Sequence, residues 1–582
     1  MDDERTVQLT RPIAKFALSL LLLFPCLALP SLTLGSDAPV RYSGSDFSKR
    51  AAVYARNGMV STSHPLASQI GLDILKGGGN AIDAAIAANA ALGLMEPTGS
   101  GIGGDLFALI WMAEEQKLYG LNGSGRAALE IDRAQLVRDG HVTMPFEGAL
   151  PVTVPGTVDG WFMLNERFGS RSIAQVLAPA IAYARDGFVL TTQIGAGMAR
   201  TLAYFSRAGY PNLEETYQQG GRWPAAGMVY RNPLLADSYE LIAEKGRAAY
   251  YDGPIAKSIV DAVRSQGGYL SEEDFSAHHG DWVEPVSTGY RGYELWEIPP
   301  NGQGIAALQI LNILETFDFR DIAFGSKEHI HLFTEAKKLA YEDRAKYYAD
   351  PEFADVPVEK LISKAYGRER AKLIDRTRAG IYEAGELPGH GDTIYLTTAD
   401  RHGNMVSLIQ SNYAGMGGGI VPKGVGFMLQ NRGAAFSLQP DHRNSIEPGK
   451  RPFHTIIPAF VTKNGKPYFS YGVMGGSMQP QGHVQVLMNM VDFGMGPQEA
   501  GDAPRIRHEG SSTPEGLPAE GVGNMMLEAG FSPAVVRDLV KMRHNVGSGL
   551  YFGGYQGILW KEEEGYYVGA TESRHDGASV GF

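Results

Sequence analysis

The stretch Gly391-Asp-Thr-Ile-Tyr-Leu-Thr-Thr398 joins an irregular segment to a run of β-branched and aromatic residues. Residues 377–392 carry four glycines and one proline without hydrophobic periodicity, which predicts a loop or linker. The run from Thr393 onward predicts a strand. If the bond between Asp392 and Thr393 breaks, the new α-amine, with a pKa of about 7.7–8.0, can act as base for the threonine hydroxyl. By itself, a threonine that opens a strand is more commonly only a β-former.

Outward from this junction, helices are expected to dominate before residue 392 and strands after it. Pro65 and the triple glycine 77–79 bound a helix over 65–76, and Asn80 caps a second helix that Pro97 ends. The later pattern predicts strands at 393–398, 405–410, 427–431, 456–461, 467–472, 557–561 and 566–570, and a helix at 482–492.

Composition removes several function classes. The chain has 582 residues, 44% of them hydrophobic, so it can form a large buried core. Its net charge is −12, whereas a nucleic-acid-binding protein needs a basic face. A mean hydropathy of −0.16 excludes a polytopic membrane protein. We therefore expect small-molecule chemistry and no nucleic-acid partner.

The N-terminal segment resembles a secretory signal. Arg11 and Lys15 precede an uncharged stretch over residues 16–36, so residues 1–35 are predicted to be a signal peptide or, alternatively, an uncleaved anchor. Either one predicts a secreted or periplasmic protein. The single cysteine, Cys26, lies inside this segment, and its removal would leave no thiol for catalysis, disulfides or metal binding.

Three other patterns are weaker. The cluster Gly99–Gly104 follows a helix and precedes a strand, the reverse of a dinucleotide-binding order, so packing glycines are the better interpretation. His331 and Glu335 share a helix face without an evident third ligand. The Gly577-Ala-Ser-Val-Gly581 motif has no room for the helix that a hydrolase elbow needs, which favours a tail or last strand. We expect no cofactor and no metal.

A set of motifs spread along the chain occurs in one order. Together they resemble the gamma-glutamyltranspeptidase family of N-terminal-nucleophile hydrolases over nearly the whole length after the N-terminal segment. The motifs are His64-Pro-Leu-Ala-Ser68, Gly78-Gly-Asn-Ala-Ile-Asp-Ala84, Glu96-Pro97 to Gly104, Val154-Pro-Gly-Thr157, Glu335-Ala-Lys-Lys-Leu-Ala340 with Asp343-Arg344, and Gly449-Lys-Arg-Pro452.

The resemblance implies an α+β fold, a four-layer αββα sandwich. It implies that the precursor cleaves itself between Asp392 and Thr393 into a large subunit, 36–392, and a small subunit, 393–582. It also implies an enzyme that cleaves γ-glutamyl amides such as glutathione through an ester on the threonine. The acyl group then passes to water or to an amino acid.

Matching positions suggest the catalytic residues. Thr393 corresponds to the nucleophile, and Ser411 falls where the family has a hydroxyl near the nucleophile's amine. Gly475 and Gly476 correspond to the oxyanion-hole amides, which typically contribute about 2.7–4 kcal/mol each to transition-state stabilisation.

The substrate-binding positions depart from the family pattern. The arginine for the α-carboxylate is displaced by two positions, to Arg126. An aspartate that holds the α-amino group is replaced around Ala434-Ala435, and the family's serine pair and asparagine also differ. The candidate substrate contacts are therefore Arg126, Arg432, His454, Thr455 and Tyr413.

These departures leave two alternatives open. One is an acylase of the same fold that acts on a non-glutamyl amide, such as a glutaryl group or a β-lactam side chain. The other is a processing-dead scaffold, against which the presence of Thr393, Ser411 and the Gly475-Gly476 pair argues.

Overall fold

The computed structural model describes residues 50–383 and 393–582. The predicted signal peptide or anchor, residues 1–35, and Asp392 of the predicted cleavage site lie outside the described residues. Within the described ranges, no helix combines the length and apolar character that crossing a membrane requires.

The strands are numbered in chain order over the described residues. They are β1 Val53–Ala55, β2 Gly58–Thr62, β3 Asp105–Met112, β4 Lys117–Gly123, β5 Phe188–Val189, β6 Val229–Tyr230, β7 Asp281–Val283, β8 Val286–Tyr290, β9 Tyr293–Glu297, β10 Ile394–Asp400, β11 Met405–Ser411, β12 Ala459–Lys463, β13 Lys466–Val473, β14 Ile506–Glu509, β15 Asn524–Leu527, β16 Val546–Gly547, β17 Tyr555–Lys561, β18 Tyr566–Thr571 and β19 Ala578–Gly581.

The helices are numbered in the same way. They are α1 Pro65–Lys76, α2 Ala81–Met95, α3 Arg133–Arg138, α4 Thr157–Phe168, α5 Ile173–Asp186, α6 Thr192–Arg207, α7 Leu213–Tyr217, α8 Pro233–Lys245, α9 Ala248–Tyr251, α10 Pro254–Arg264, α11 Glu272–Ser276, α12 Gly304–Leu314, α13 Lys327–Tyr347, α14 Val358–Leu361, α15 Lys364–Ala371, α16 Gln479–Val491, α17 Pro497–Asp502 and α18 Pro533–Lys541. Short 3₁₀ turns cover Arg432–Ala435 and Gly476–Met478.

Two seven-stranded antiparallel sheets form the centre. The nucleophile sheet has the order β19-β2-β10-β11-β3-β4-β7, and the facing sheet has the order β1-β18-β17-β13-β12-β9-β8. Strand β10, which follows Thr393 directly, pairs with β2 on one side and β11 on the other. Thr393, the predicted nucleophile, therefore lies directly before an interior strand.

Helices cover the outer face of each sheet. An apolar layer that includes Phe107, Trp111, Tyr395, Phe460 and Ile558 fills the space between the sheets. Helices α1, α2 and α4 pack on the nucleophile sheet, and α12 and α16 pack on the facing sheet. The expected α+β, four-layer αββα sandwich is confirmed.

The first two helices follow from their end residues. His64 Nδ1 accepts from the amide of Leu66, and Pro65 opens α1, as the sequence indicated. Asn80 and Asp83 form a reciprocal capping box at the start of α2. Helix α2 is buried all round, because its small residues allow helices and strands to approach on both sides.

One predicted strand is wrong. Residues 427–431 form no strand, because the amides of residues 429–431 donate in turn to carbonyls of Ile420, Gly103 and Asn412 in three separate segments. The segment predicted at 456–461 becomes a strand only from Ala459. At the other end, β19 pairs with β2, which confirms the last-strand interpretation of the Gly577–Gly581 motif.

Candidate active site

Thr393 and Ser411 meet at one end of the nucleophile sheet. Thr393 immediately precedes β10 and Ser411 ends the antiparallel β11, so the pairing of these strands brings the two residues together. The Thr393 Oγ1 and Ser411 Oγ atoms are 3.3 Å apart, and both side chains are buried. Ser411, whose hydroxyl is predicted to lie near the amine of Thr393, is therefore a neighbour of Thr393.

The Gly99–Gly104 cluster packs against the backbone of Thr393 and Ser411. A methyl group at Gly99 would lie 3.2 Å from the backbone nitrogen of Thr393, and one at Gly104 would lie 2.4 Å from the Ser411 carbonyl oxygen. Only glycine permits such close backbone approach. The packing interpretation of this cluster is confirmed.

Tyr413 links the hydroxyl pair to a buried arginine. The backbone amide of Tyr413 donates to Ser411 Oγ at 2.8 Å, and its backbone has a positive φ of 76°. The Arg432 guanidinium lies 4.4 Å from the centre of the Tyr413 ring. A left-handed backbone is unusual for a bulky residue, and it is often found at functional sites.

Arg432 is fully buried and only partly hydrogen-bonded. Its Nη1 donates to Thr455 Oγ1 at 2.8 Å, while Nε and Nη2 have no hydrogen-bond partner among the described residues. Burial lowers the pKa of Arg432 to about 10, although the charge of Asp105 opposes this. The guanidinium therefore stays charged at neutral pH, and its Nε and Nη2 nitrogens can donate to an acceptor.

Asp105 and His454 form a buried pair beside this arginine. The His454 Nε2 and Asp105 Oδ2 atoms are 3.0 Å apart. Burial lowers the pKa of His454 to about 4. Burial alone would raise the pKa of Asp105, but the hydrogen bond from His454 and the charges of His454 and Arg432 hold it below its usual value. At neutral pH a neutral imidazole therefore donates to an ionised carboxylate.

Gly475 and Gly476 follow the end of β13. Their φ angles of 115° and 57° lie in the region that favours glycine. Gln303 Nε2 donates to the carbonyl oxygens of Thr455 and Gly476 at 2.6 and 2.9 Å. An unbroken series of contacts thus connects the glycine pair, through Gln303 and Thr455, to Arg432 and the hydroxyl pair.

Arg126 does not join this series of contacts. Its guanidinium donates to both carboxylate oxygens of Glu352, at 3.0 and 2.9 Å, and to the Gly449 carbonyl at 3.1 Å. Its predicted role in substrate binding stays a prediction, and Arg432 is the arginine that is connected to Ser411, through Tyr413.

Three residues of the candidate active site were not predicted from the sequence. Asp105 opens β3 directly opposite Ser411, and Gln303 precedes α12. Burial, and after it the charge of Glu515, raises the pKa of Tyr413. Ala434 and Ala435 are buried and carry no polar group. Asp105 could have been predicted to lie beside Ser411 only if the pairing of β3 with β11 had been known.

Two packed sheets between helical layers, with a buried threonine hydroxyl at the start of an interior strand, define the class of the N-terminal-nucleophile hydrolases. The chain belongs to the gamma-glutamyltranspeptidase family, whose sequence pattern matches residues 67–582.

Relatives in this family include several amide-cleaving enzymes. The chain is 39% identical to the glutathione hydrolase-like YwrD proenzyme of Bacillus subtilis, over 90% of this chain and 98% of that protein. It is 35% identical to the acylase ACY 1 proenzyme of Pseudomonas sp. strain SE83, over 90% and 93%. The crystal structure of cephalosporin acylase from Bacillus halodurans is similar at a TM-score of 0.85 and 43% identity, over 92% and 98%. The protein is thus an amide-cleaving enzyme of this family.

Proposed function

We propose that the chain is a precursor that cleaves itself before Thr393 and then acts as an N-terminal-threonine amidohydrolase. In the first step, Thr393 Oγ1 attacks the carbonyl carbon of Asp392, and the peptide nitrogen leaves as the α-amine of Thr393. Water then hydrolyses the resulting ester, which gives two chains. The supporting observation is the adjacent, buried pair of the Thr393 and Ser411 hydroxyls at 3.3 Å.

The same threonine would then process the substrate. Its α-amine takes the hydroxyl proton while Oγ1 attacks an amide carbonyl, and the protonated amine donates to the leaving nitrogen. Amides of Gly475 and Gly476 are suited to stabilise the oxyanion, since glycine backbones allow close approach. Water or an amine resolves the acyl–threonine ester. Relatives that are named proenzymes, matched over 98% and 93% of their own length, support the two-chain scheme.

For the acyl half of the substrate, we propose a group that ends in a carboxylate. The observation that carries this proposal is the buried Arg432 beside Tyr413, whose Nε and Nη2 nitrogens have no hydrogen-bond partner among the described residues. A planar guanidinium favours bidentate binding of a carboxylate. Glutaryl and γ-glutamyl amides both satisfy this requirement.

The two substrates differ in one ammonium group. Ala434 and Ala435 provide no charge for it, which favours a glutaryl-type acyl group. Glu515 is the specific observation in favour of a γ-glutamyl group, because its carboxylate acts electrostatically on Tyr413. Burial raises the pKa of Glu515, which weakens it as an ammonium partner. We therefore place the glutaryl type first and the γ-glutamyl type, as in glutathione, second.

Replacing Arg432 tests the carboxylate proposal. In the processed protein, Arg432→Met should lower kcat/KM for a glutaryl anilide by about 10- to 100-fold, which corresponds to about 1.5–3 kcal/mol for a lost charged hydrogen bond. A pentanoyl anilide has the same chain length without the carboxylate, so its turnover should change little. The measurement is the ratio of the two kcat/KM values.

Arg126→Met is the matched variant, because Arg126 is the arginine that sequence reasoning also proposed. An unchanged ratio in Arg126→Met and a reduced one in Arg432→Met would support Arg432 as the carboxylate partner. The reverse pattern, or an equal loss on both anilides in Arg432→Met, would refute it. Including γ-glutamyl anilide ranks the two candidate acyl groups directly.

The amine base predicts a specific pH dependence. The value of kcat/KM should rise as the pH passes about 7.7–8.0, because the α-amine must lose its proton before it can act as base. His454 cannot produce an inflection there, since burial lowers its pKa to about 4. A pH profile measured with a carboxylate-free anilide, which removes substrate ionisation, checks this. A flat profile between about pH 6 and 9 would count against the amine.

We also propose that the enzyme works outside the cytoplasm, in the periplasm or as a secreted protein. The support is the charged start and the uncharged stretch of residues 16–36. Fractionation of cells that produce the full chain tests it, because retention with cytoplasmic markers would contradict the proposal.

A further inference from the structure

A cluster of two histidines and one glutamate lies outside the residues described for catalysis. His331 and Glu335 lie one turn apart on α13, and His544 follows the end of α18. One ligand atom from each lies within 4.8 Å of the other two, and all three residues are buried. The folded chain thus supplies the third ligand that the sequence did not reveal.

The two histidines face each other through ring nitrogens. His331 Nδ1 and His544 Nε2 are 2.7 Å apart, and His331 Nε2 lies 2.8 Å from the carbonyl oxygen of Asp375. A carbonyl only accepts, so Nε2 carries the proton and the Nδ1 lone pair of His331 points at His544. A ligating histidine usually has this kind of support on its other nitrogen.

The glutamate is held in place in a similar way. Glu335 Oε2 accepts from the Tyr382 hydroxyl at 2.7 Å and from the Gly380 amide at 2.8 Å. Its Oε1 pairs with the Lys338 ammonium. The carboxylate therefore has a fixed orientation, and one of its oxygens faces a cation that a metal ion would have to displace.

We propose that His331, Glu335 and His544 form a site for a divalent transition metal, best matched by Zn²⁺. Two imidazole nitrogens and one carboxylate oxygen suit Zn²⁺ rather than Mg²⁺ or Ca²⁺, which prefer oxygen ligands. On binding, His544 changes tautomer, so that its proton moves from Nε2 to Nδ1 and Nε2 becomes free for the ion, and Lys338 moves away from Glu335 Oε1. Water completes the fourth position.

A metal ion at this site would hold residues 375–383 against α13. Asp375, Gly380 and Tyr382 all contact the ligand side chains, and the Ala379 amide donates to the Met542 carbonyl at 2.7 Å, close to His544 in sequence. A bound ion would therefore hold α13, this segment and the region after α18 together. Its role is structural, since it shares no residue with the catalytic contacts.

The test is metal binding by the tag-free, full-length protein after treatment with a chelator. We expect one Zn²⁺ per protein molecule, cut or uncut, in a competition titration with a chromophoric chelator, and tetrahedral d–d absorption when Co²⁺ replaces it. His544→Ala should weaken binding at least 100-fold, whereas His141→Ala, outside the cluster, should not change it.

Lys338→Met makes the proposal falsifiable even if His544→Ala fails to fold. Removing the competing ammonium should tighten Zn²⁺ binding, by about tenfold. A cluster that merely packs would show no tightening. Absence of stoichiometric binding in the wild-type protein, or Co²⁺ spectra that His544→Ala leaves unchanged, would overturn the proposal.

Discussion

A Thr393→Ala protein is expected to remain a single chain, of about 59 kDa without residues 1–35 or about 63 kDa with them, and to lose amide hydrolysis by at least about 1,000-fold. The reason is that the same hydroxyl would attack first the Asp392 carbonyl and later the substrate. The wild-type protein should instead give a chain of about 20 kDa that begins Thr-Ile-Tyr-Leu, because 62.9 kDa over 582 residues is about 108 Da per residue. Denaturing electrophoresis, intact mass and N-terminal sequencing measure this directly.

Two further substitutions serve as controls for Thr393→Ala. Thr393→Ser keeps a hydroxyl and should still be processed. Thr377→Ala removes an exposed threonine from the segment before the junction and should behave as wild type. Cleavage at the same bond in Thr393→Ala would refute the mechanism, and an uncut wild-type protein after long incubation would favour the scaffold alternative.

Gly475→Ala is expected to reduce kcat by about 10²- to 10³-fold with little change in KM, the usual cost of a lost oxyanion-hole donor. At a φ of 115°, a side chain adds strain of about 1–3 kcal/mol. The new methyl group would also lie 3.2 Å from the Gly553 Cα. The backbone would shift to relieve this strain and this close contact, and the shift would move the Gly475 N–H away from the oxyanion. Steady-state kinetics on the processed protein separate kcat from KM.

Gly494→Ala separates the oxyanion effect from backbone strain alone. Gly494 also has a positive φ, 69°, but a methyl group there would meet no atom within 4 Å. It should lower the melting temperature while kcat stays near the wild-type value. If Gly475→Ala leaves kcat unchanged, the assignment of this amide to the oxyanion hole is wrong.

Local signals made the helices near the start of the described chain predictable. A proline at the first position, a terminating glycine and an asparagine cap fix α1 and α2 within a few residues, because these groups satisfy the free backbone groups at helix ends. The strand predicted at residues 427–431 was wrong, because its structure depends on distant parts of the chain. Their apolar pattern fits a strand, but their backbone partners come from three loops that only the tertiary fold brings together.

Some residues of the candidate site could be proposed from the sequence, and others become evident only in the tertiary structure. The junction at Thr393 gave only a weak signal, and the family resemblance was needed to propose Thr393, Ser411 and the glycine pair. Asp105 and Gln303 carry no local signal, since they become relevant only when β3 pairs with β11 and when Gln303 donates to the carbonyl of Gly476. His544 is 213 positions from its histidine partner, beyond any periodicity argument.

The interleaving of strands from both sides of Thr393 has a thermodynamic consequence. In the nucleophile sheet, β10 lies between β2 and β11, and in the facing sheet β9 is the neighbour of β12. A cut before Thr393 would leave each product with an incomplete share of both sheets. The association of the two chains would then be inseparable from folding, so the stability of the mature enzyme would depend on its concentration, whereas that of the uncut precursor would not.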